Sequence, residues 1–474
     1  MTGTAIGSRT HPRHDSKRFS LSIRGVLAAA AATALLGASL LPAARADEAR
    51  KWVASWTTAP QNTWKGTTAA ALVNFAFPFT APAIPQAQNQ TLRMILKPDL
   101  WSDTVRVRLS NTWGTGPVTF GKVAVGLQSF SGNTVAGTNR VLSFSGKTTV
   151  TVPAGTEVWS DPVRLDWARG DDDGGSGTSR AVDGRNLAVS MYIPGSSGPM
   201  TYHNTALQES FLAAPNTGDH AEDDSDAAFP YETTVWFFVD AVDVMAPADT
   251  RVLVGAGSSS VDGSITTPDQ NDRFLNWMSR RLHAAYGNHV SVVNEGIGGD
   301  TAGTPGPGQT RPLLQVLPER FDRDVLGVSG VTDVLFYAGT NDFGDGIPPA
   351  QSIASLQSMV AKLHAKGINA IGATLISNVG QAGTTEATYQ AHNAINDFIR
   401  APGSFDSVAD FFKVTANPAN TDSFGNPILY PQYATHSDPT GTPDFLHVGR
   451  AGAQAEGDTL DVRFFAPRRR HDRD

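Results

Sequence analysis

The chain reads as an α/β protein: a three-layer domain with helices on both faces of a parallel sheet, preceded by an all-β sandwich or jelly roll. Two observations predict this. From Trp52 to about Val244, apolar and polar residues alternate with period two in short runs between turn residues, with almost no sustained helical period. Beyond Pro247-Ala248-Asp249-Thr250, strand-like runs alternate with helical stripes, as in a parallel sheet whose crossovers are helices.

The first 46 residues stand apart from both. Arg9, Arg13, Lys17, Arg18 and Arg24 make a basic head, an Ala/Leu-rich stretch runs from Gly25 to Leu41, and Pro42 and Ala44-Arg45-Ala46 follow. That is the pattern of a cleavable export signal leaving Asp47 as the new N-terminus, so the protein is expected to be secreted. The rival reading is a membrane anchor, but the apolar run is short for a span of ~20 residues. No cysteine is available to take a lipid. Lys17-Arg18-Phe19 lacks the first arginine of a twin-arginine signal, which leaves both Sec and Tat export open. The expected divisions are a signal peptide at 1–46, a β domain at 47–246, an α/β domain at 251–466 and a disordered basic tail at 467–474.

The chain has 37 Lys and Arg against 45 Asp and Glu, a net charge of −8; without residues 1–46, which hold six of the former and one of the latter, 31 against 44 gives −13. Such an acidic protein is a poor partner for nucleic acid or an anionic membrane, both of which reward clustered Lys and Arg. The basic run Arg468 to Arg470 sits in the tail and reads as solvated. No cysteine means no disulfide, so stability must come from the core. No later segment approaches ~18 uninterrupted apolar residues, so no stable membrane insertion is expected. Oligomeric state is left open.

In the β region, Thr104 to Ser110, Thr148 to Val152 and Leu187 to Ile193 alternate cleanly. Asp171 to Gly177 and Glu222 to Asp226 read as acidic, solvated loops whose spacing fits no cation loop. In the second region, Arg251 to Val254 is a buried-type strand, and Phe274, Trp277, Met278 and Leu282 mark the apolar stripe of a helix starting near Asp272. Val290 to Asn294, Val331 to Ala338 and Ile368 to Ser377 supply further strands, with a helix over Ile353 to Lys366. Reactive groups then belong at the carboxyl ends of the strands.

A hydrolytic serine needs an exposed hydroxyl, a histidine to take its proton, an acid to orient that histidine, and donors for an oxyanion. Gly255-Ala256-Gly257-Ser258-Ser259-Ser260-Val261-Asp262-Gly263 follows the first strand, Asn294-Glu295-Gly296-Ile297-Gly298-Gly299-Asp300 the second, and Gly339-Thr340-Asn341-Asp342 the third. Asp444-Phe445-Leu446-His447 stands near the end, before a last helix. The spacing of three lets a single turn set the Asp444 carboxylate against one nitrogen of His447 while the other faces a nucleophile. His203, His283, His289, His364, His392 and His436 have no acid three residues before them, and His436 is kept in reserve because of its nearness in sequence. Each motif alone has a plainer reading: Ser259 as a turn residue, Asn341-Asp342 as a helix cap, the glycines as a tight turn.

Together, and in this order, the motifs resemble the SGNH (GDSL-like) hydrolases over about residues 251 to 465. The upstream half is similar to the β domain of two-domain actinobacterial secreted members, through Trp52 to Trp56, Val105 to Asn111 and Thr201 to Gln208. The resemblance implies a flavodoxin-like α/β/α fold. It implies Ser259, Asp444 and His447 as catalytic triad, and the Ser259 and Gly299 backbone N–H groups with the Asn341 amide as oxyanion hole. No metal or cofactor is implied, and the substrate expected is a small or polysaccharide-linked ester, with short acyl or acetyl groups favoured and lipase or phospholipase A activity a close variant. Two residues depart from the pattern: Ser258 replaces the usual acid before the nucleophile, and Val448-Gly449-Arg450 follows the histidine in place of a Pro-Asn-Asp type of sequence. They keep open a glycan-binding protein with a degenerate hydrolase domain. No His-Glu-x-x-His, cysteine cluster or phosphate loop is present.

Overall fold

The computed structural model describes residues 49–61, 86–168, 182–306, 316–436 and 443–466. Residues 1–46, read as an export signal, the acidic run Asp171 to Gly177 and the basic residues 467–474 lie outside the described residues.

The upstream half consists of antiparallel sheets. In one, strand Val239–Pro247 lies between Arg50–Thr57 and Thr104–Ser110, with Glu157–Trp159 and Val163–Arg164 on the far side of Thr104–Ser110. In the other, Gln86–Leu96 and Leu187–Pro199 form the centre, flanked by Ser210–Leu212 and Lys122–Leu127. The alternation of Thr104–Ser110 is real: Val105, Val107 and Leu109 are buried in the shared core. Its other face is not solvated, however. Arg106 and Arg108 pair with the buried Asp243 and Asp240, each at 2.7 Å, and Arg106 also reaches Ser329 of the second half at 3.4 Å. Of Thr148 to Val152, only Val150–Val152 is a strand, and it pairs with Val118–Phe120 in a small ribbon outside the two main sheets.

The acidic run Glu222 to Asp226 is a loop with Glu222, Asp223 and Ser225 exposed, as read from the sequence. It is also tied down: the buried Arg93 donates to the Asp223 carbonyl at 2.6 Å and the Asp224 and Asp226 side chains accept from Asn139 and Asn133 at 2.8 and 2.9 Å.

The second half is built on five parallel strands in the spatial order Val290–Gly296, Arg251–Gly257, Asp333–Tyr337, Asn369–Ala373, Ser407–Ala409. The chain starts at Arg251–Gly257, moves to one side, then returns past it to build the rest. Strand order therefore reverses beside Arg251–Gly257, and such a switch point opens a crevice at the carboxyl ends. Helix Phe274–Tyr286 buries Phe274, Met278 and Leu282 as its stripe requires, while Trp277 lies partly buried under the Arg280 and Arg450 guanidinium groups. The helix read over Ile353 to Lys366 begins earlier, at Pro349, where a proline at the first position costs no hydrogen bond. The strand read to Ser377 ends at Ala373.

Strand Arg50–Thr57 joins the halves: Ala54 N–H donates to the Ser329 carbonyl at 2.9 Å, and Ser291 Oγ donates to the Ala54 carbonyl at 2.6 Å. Asp99 of the β region accepts from Val292 N–H, Ser279 Oγ and the His283 ring.

Candidate active site

Strand Arg251–Gly257 delivers the chain to the switch point, and Gly257 must be glycine there: a Cβ would stand 2.0 Å from the Tyr337 carbonyl oxygen on the next strand. Ser258, buried, precedes the four-residue helix Ser259–Asp262, and its carbonyl accepts from Val261 and Asp262 N–H at 3.0 and 2.9 Å. Ser259 thus occupies the first helical position, 9% exposed, where a backbone N–H has no intrahelical partner.

Ser259 Oγ lies 2.8 Å from His447 Nε2, and His447 Nδ1 lies 2.7 Å from Asp444 Oδ2. The spacing left the kind of turn open, and the backbone decides it. Pro443–Val448 is extended and pairs with Ala434–His436; within it Phe445 takes the left-handed region at φ 53°, and Asp444 Oδ1 accepts from Leu446 and His447 N–H at 2.9 and 3.0 Å. This Asx-type turn, not a helical one, brings the carboxylate back onto its own histidine. Burial works against the Asp444 charge, but the bond from the His447 ring and the two backbone N–H groups outweigh it and hold the carboxyl below its ordinary range. An ionised Asp444 only accepts, so Nδ1 carries the proton and the Nε2 lone pair faces Ser259. His436, the reserve candidate, has its backbone paired with Pro443; the ring that meets Ser259 is that of His447.

The second motif turns at Gly299, whose φ of 86° disfavours a side chain. Gly298 N–H donates to Asp262 Oδ2 at 3.0 Å, and the buried Asp300 accepts from Thr301 and Leu317 N–H and from Arg320 at 2.6 Å. Arg320, fully buried, also donates to the carbonyls of Gly257 and Glu295 at 3.1 and 2.8 Å, so one guanidinium ties two strand ends to the glycine loop. Burial pushes the Asp300 carboxyl up to about 6, with Arg320 opposing. Asn341 Nδ2 donates one N–H to the Asp300 carbonyl at 2.8 Å, which fixes the amide at the rim of the same crevice. Asp342 accepts from Ala302 and Gly303 N–H and from Ser352 Oγ, and so braces the loop rather than capping a helix.

Asp262, Asp300 and Arg320 were not singled out from the sequence. The two acids stand inside motifs already quoted and were legible as buried organisers; Arg320 sits in helix Leu317–Asp324 with no local signal. The three-residue filter on histidines also misses acids supplied by folding: His203 meets Asp262 at 3.0 Å, His283 meets Asp99 at 2.9 Å and His364 meets Asp406 at 2.8 Å. Among the described residues no group of three or more His, Asp or Glu side chains is placed to hold a metal ion.

Beneath His447, the buried Glu456 accepts from Tyr337 OH at 3.4 Å, and burial pushes its carboxyl from 4.5 up to about 8. The folded state thus keeps a proton that an unfolded glutamate releases, so this contribution to stability is complete below about pH 4.5 and is lost as pH rises through about 8. Glu456→Gln is expected to melt within about 2 °C of the parent at pH 5.5 and about 5 °C above it at pH 9. Thermal unfolding at the two values checks this, and parallel curves would refute it.

Residues 256–455 match the model of the GDSL-like lipase/acylhydrolase family. This part of the chain is a GDSL-like domain. Solved structures similar to the chain include a carbohydrate esterase family 2 enzyme with a carbohydrate-binding domain from Corynascus thermopiles, at 15% identity over 81% of this chain and 96% of that one, TM-score 0.32. Others are a carbohydrate acetylesterase family member from Sinorhizobium meliloti (15%, 46% and 99%, TM-score 0.33) and an acetyl-xylooligosaccharide esterase from Geobacillus Stearmophilus (17%, 46% and 94%, TM-score 0.32). No curated protein matches the chain significantly.

Proposed function

We propose that the chain is an exported serine ester hydrolase working through an acyl-enzyme, acting on short acyl or acetyl esters, glycan-linked ones included. The observation that carries the reading is the continuous relay from Ser259 Oγ through His447 to Asp444, at 2.8 and 2.7 Å. In the first step Ser259 Oγ attacks the ester carbonyl carbon while His447 Nε2 takes the hydroxyl proton; Asp444 stabilises the imidazolium. The oxyanion is met by Ser259 N–H and the Asn341 amide, with Gly299 as the further donor implied by family resemblance. The tetrahedral intermediate collapses, the C–O bond breaks, and the alcohol leaves with the proton from His447. Water then repeats the sequence on the acyl-enzyme, delivering a carboxylic acid and restoring Ser259. Export rests on the basic head, apolar stretch and Ala44-Arg45-Ala46 site at the N-terminus.

The test is turnover of p-nitrophenyl esters from acetate to palmitate by protein beginning at Asp47, with and without a chelator, beside stoichiometric labelling by a phosphonate whose adduct is mapped by mass spectrometry. A label on Ser259 and chelator-insensitive turnover falling off with chain length support the reading. A rise towards long chains makes it a lipase; no label and no turnover leave glycan binding as the function to pursue. Asn341→Ala is expected to lower kcat by about 10²–10³-fold with KM changed far less, because the amide gains its partner only as charge develops on the carbonyl oxygen. Steady-state kinetics on the acetate ester measure the split, and equal loss in binding would remove Asn341 from the oxyanion hole.

A further inference from the structure

The β region makes one contact with this site that the proposed chemistry does not yet use. His203, on strand Tyr202–His203, is buried, and its ring is held on every side. Nδ1 lies 2.9 Å from the Ala59 carbonyl, and Nε2 lies 3.0 Å from Asp262 Oδ1. Its face stacks on Trp236 at 5.8 Å between centroids, and Trp236 is fixed in turn by an edge contact with Trp56 at 4.8 Å and a bond from Nε1 to the Ile95 carbonyl. A carbonyl only accepts, so Nδ1 carries a hydrogen, and the bond between Nε2 and the carboxylate then contains a second proton.

Asp262 is the last residue of the helix that begins with Ser259, and its other oxygen takes the Gly298 N–H at 3.0 Å. One carboxylate therefore ties the nucleophile's helix to the glycine loop beside Gly299, and one β-region ring holds that carboxylate. Arg273 closes the same joint from below, donating to the carbonyls of Asp262 at 2.5 Å and Ala206 at 2.7 Å.

We infer that His203 is a positioning residue for the hydrolytic site: through Asp262 it sets the Gly298–Gly299 loop against the Ser259 helix, which gives the β region a part in turnover. The inference rests on the proposed serine-hydrolase reading for its kinetic consequence, but its structural content stands apart from it. His203 touches no reacting atom. Its effect belongs in kcat, because a donor displaced by a fraction of an ångström costs little in the ground state and much once the oxyanion forms.

The experiment uses the full mature chain. His203→Phe keeps the ring on Trp236 and removes both hydrogen bonds; Asp262→Ala removes the tie to Gly298. Asp262→Asn preserves it, since the amide oxygen accepts from Gly298 N–H and its NH2 donates to a neutral His203. Active sites are counted by the burst from a p-nitrophenyl phosphonate, so kcat is expressed per competent site, and amide hydrogen exchange is followed over residues 296–300. The expected result is a fall of about 10–100-fold in kcat per site for His203→Phe and Asp262→Ala at nearly constant KM, faster exchange in that loop, and Asp262→Asn within about fivefold of the parent. A merely structural histidine would lower the melting temperature and the number of competent sites, leaving kcat per site and loop exchange unchanged, and that outcome overturns the inference. If His203→Phe does not fold, His203→Gln, which keeps a donor towards Asp262, is measured the same way and must fall between parent and Asp262→Ala. If the parent shows no Ser259-dependent turnover, the serine-hydrolase reading fails and loop exchange alone decides the role of His203.

Discussion

Ser259→Ala is expected to lower kcat on p-nitrophenyl acetate by about 10³-fold or more, with KM and melting temperature little changed. The reason is local. The substitution deletes one oxygen whose side-chain partner is the His447 ring at 2.8 Å and leaves the backbone of the short helix and the Asn341 amide in place. What remains is binding and oxyanion stabilisation without a nucleophile, which in serine hydrolases leaves a residual rate well above water alone. The neighbouring hydroxyl of Ser260 makes the test sharp. It lines a small space with Tyr337 and Glu456, and a Ser259→Ala variant as fast as the parent would move the nucleophile there or abolish the assignment.

Asp444→Asn is expected to cost about 10²–10⁴-fold in kcat while leaving the turn folded. Asp444 Oδ1 accepts from two backbone N–H groups, and an asparagine oxygen can take over both. Its NH2 then replaces Oδ2 opposite His447 Nδ1, so the ring must accept at Nδ1 and carry its proton on Nε2. An N–H instead of a lone pair faces Ser259 Oγ, and the base is lost without any loss of packing. Rates per titrated site, with the melting temperature as control, check this. A loss under tenfold would mean that His447 works without an orienting acid.

Much of this was legible in the primary structure, for physical reasons that differ by element. Thr104–Ser110 announced itself because a pleated strand repeats every two residues and its core face must be apolar; Phe274–Tyr286 did so because a helix lays a stripe at three and four. The Ser259, Gly299, Asn341 and Asp444/His447 motifs could be placed because each follows a strand or precedes a helix, and a parallel sheet collects all its carboxyl ends at one edge. Fold class is therefore a consequence of local periodicity and chain order, while the roles of the candidate groups came from the resemblance of their ordered motifs to a known family.

The rest depends on contacts between residues far apart in sequence. Spacing paired Asp444 with His447 but left the kind of turn open, since an Asx turn with Phe445 at positive φ differs from a helical one only in backbone angles that neighbouring contacts select. Alternation marked Arg106 and Arg108 only as the polar face of Thr104–Ser110; folding sets them against the buried Asp243 and Asp240 of the neighbouring strand. Arg320 carries no local mark of the three segments it binds, and Asp262 and His203 are 59 residues apart before folding joins them. The order and types of its residues determined that this chain builds a parallel α/β domain with Ser259 at a strand end and Asp444 and His447 just before its last helix. Only the tertiary structure decided which buried charges hold those ends in place, because a charge taken out of water must find its partner wherever the packed chain supplies one.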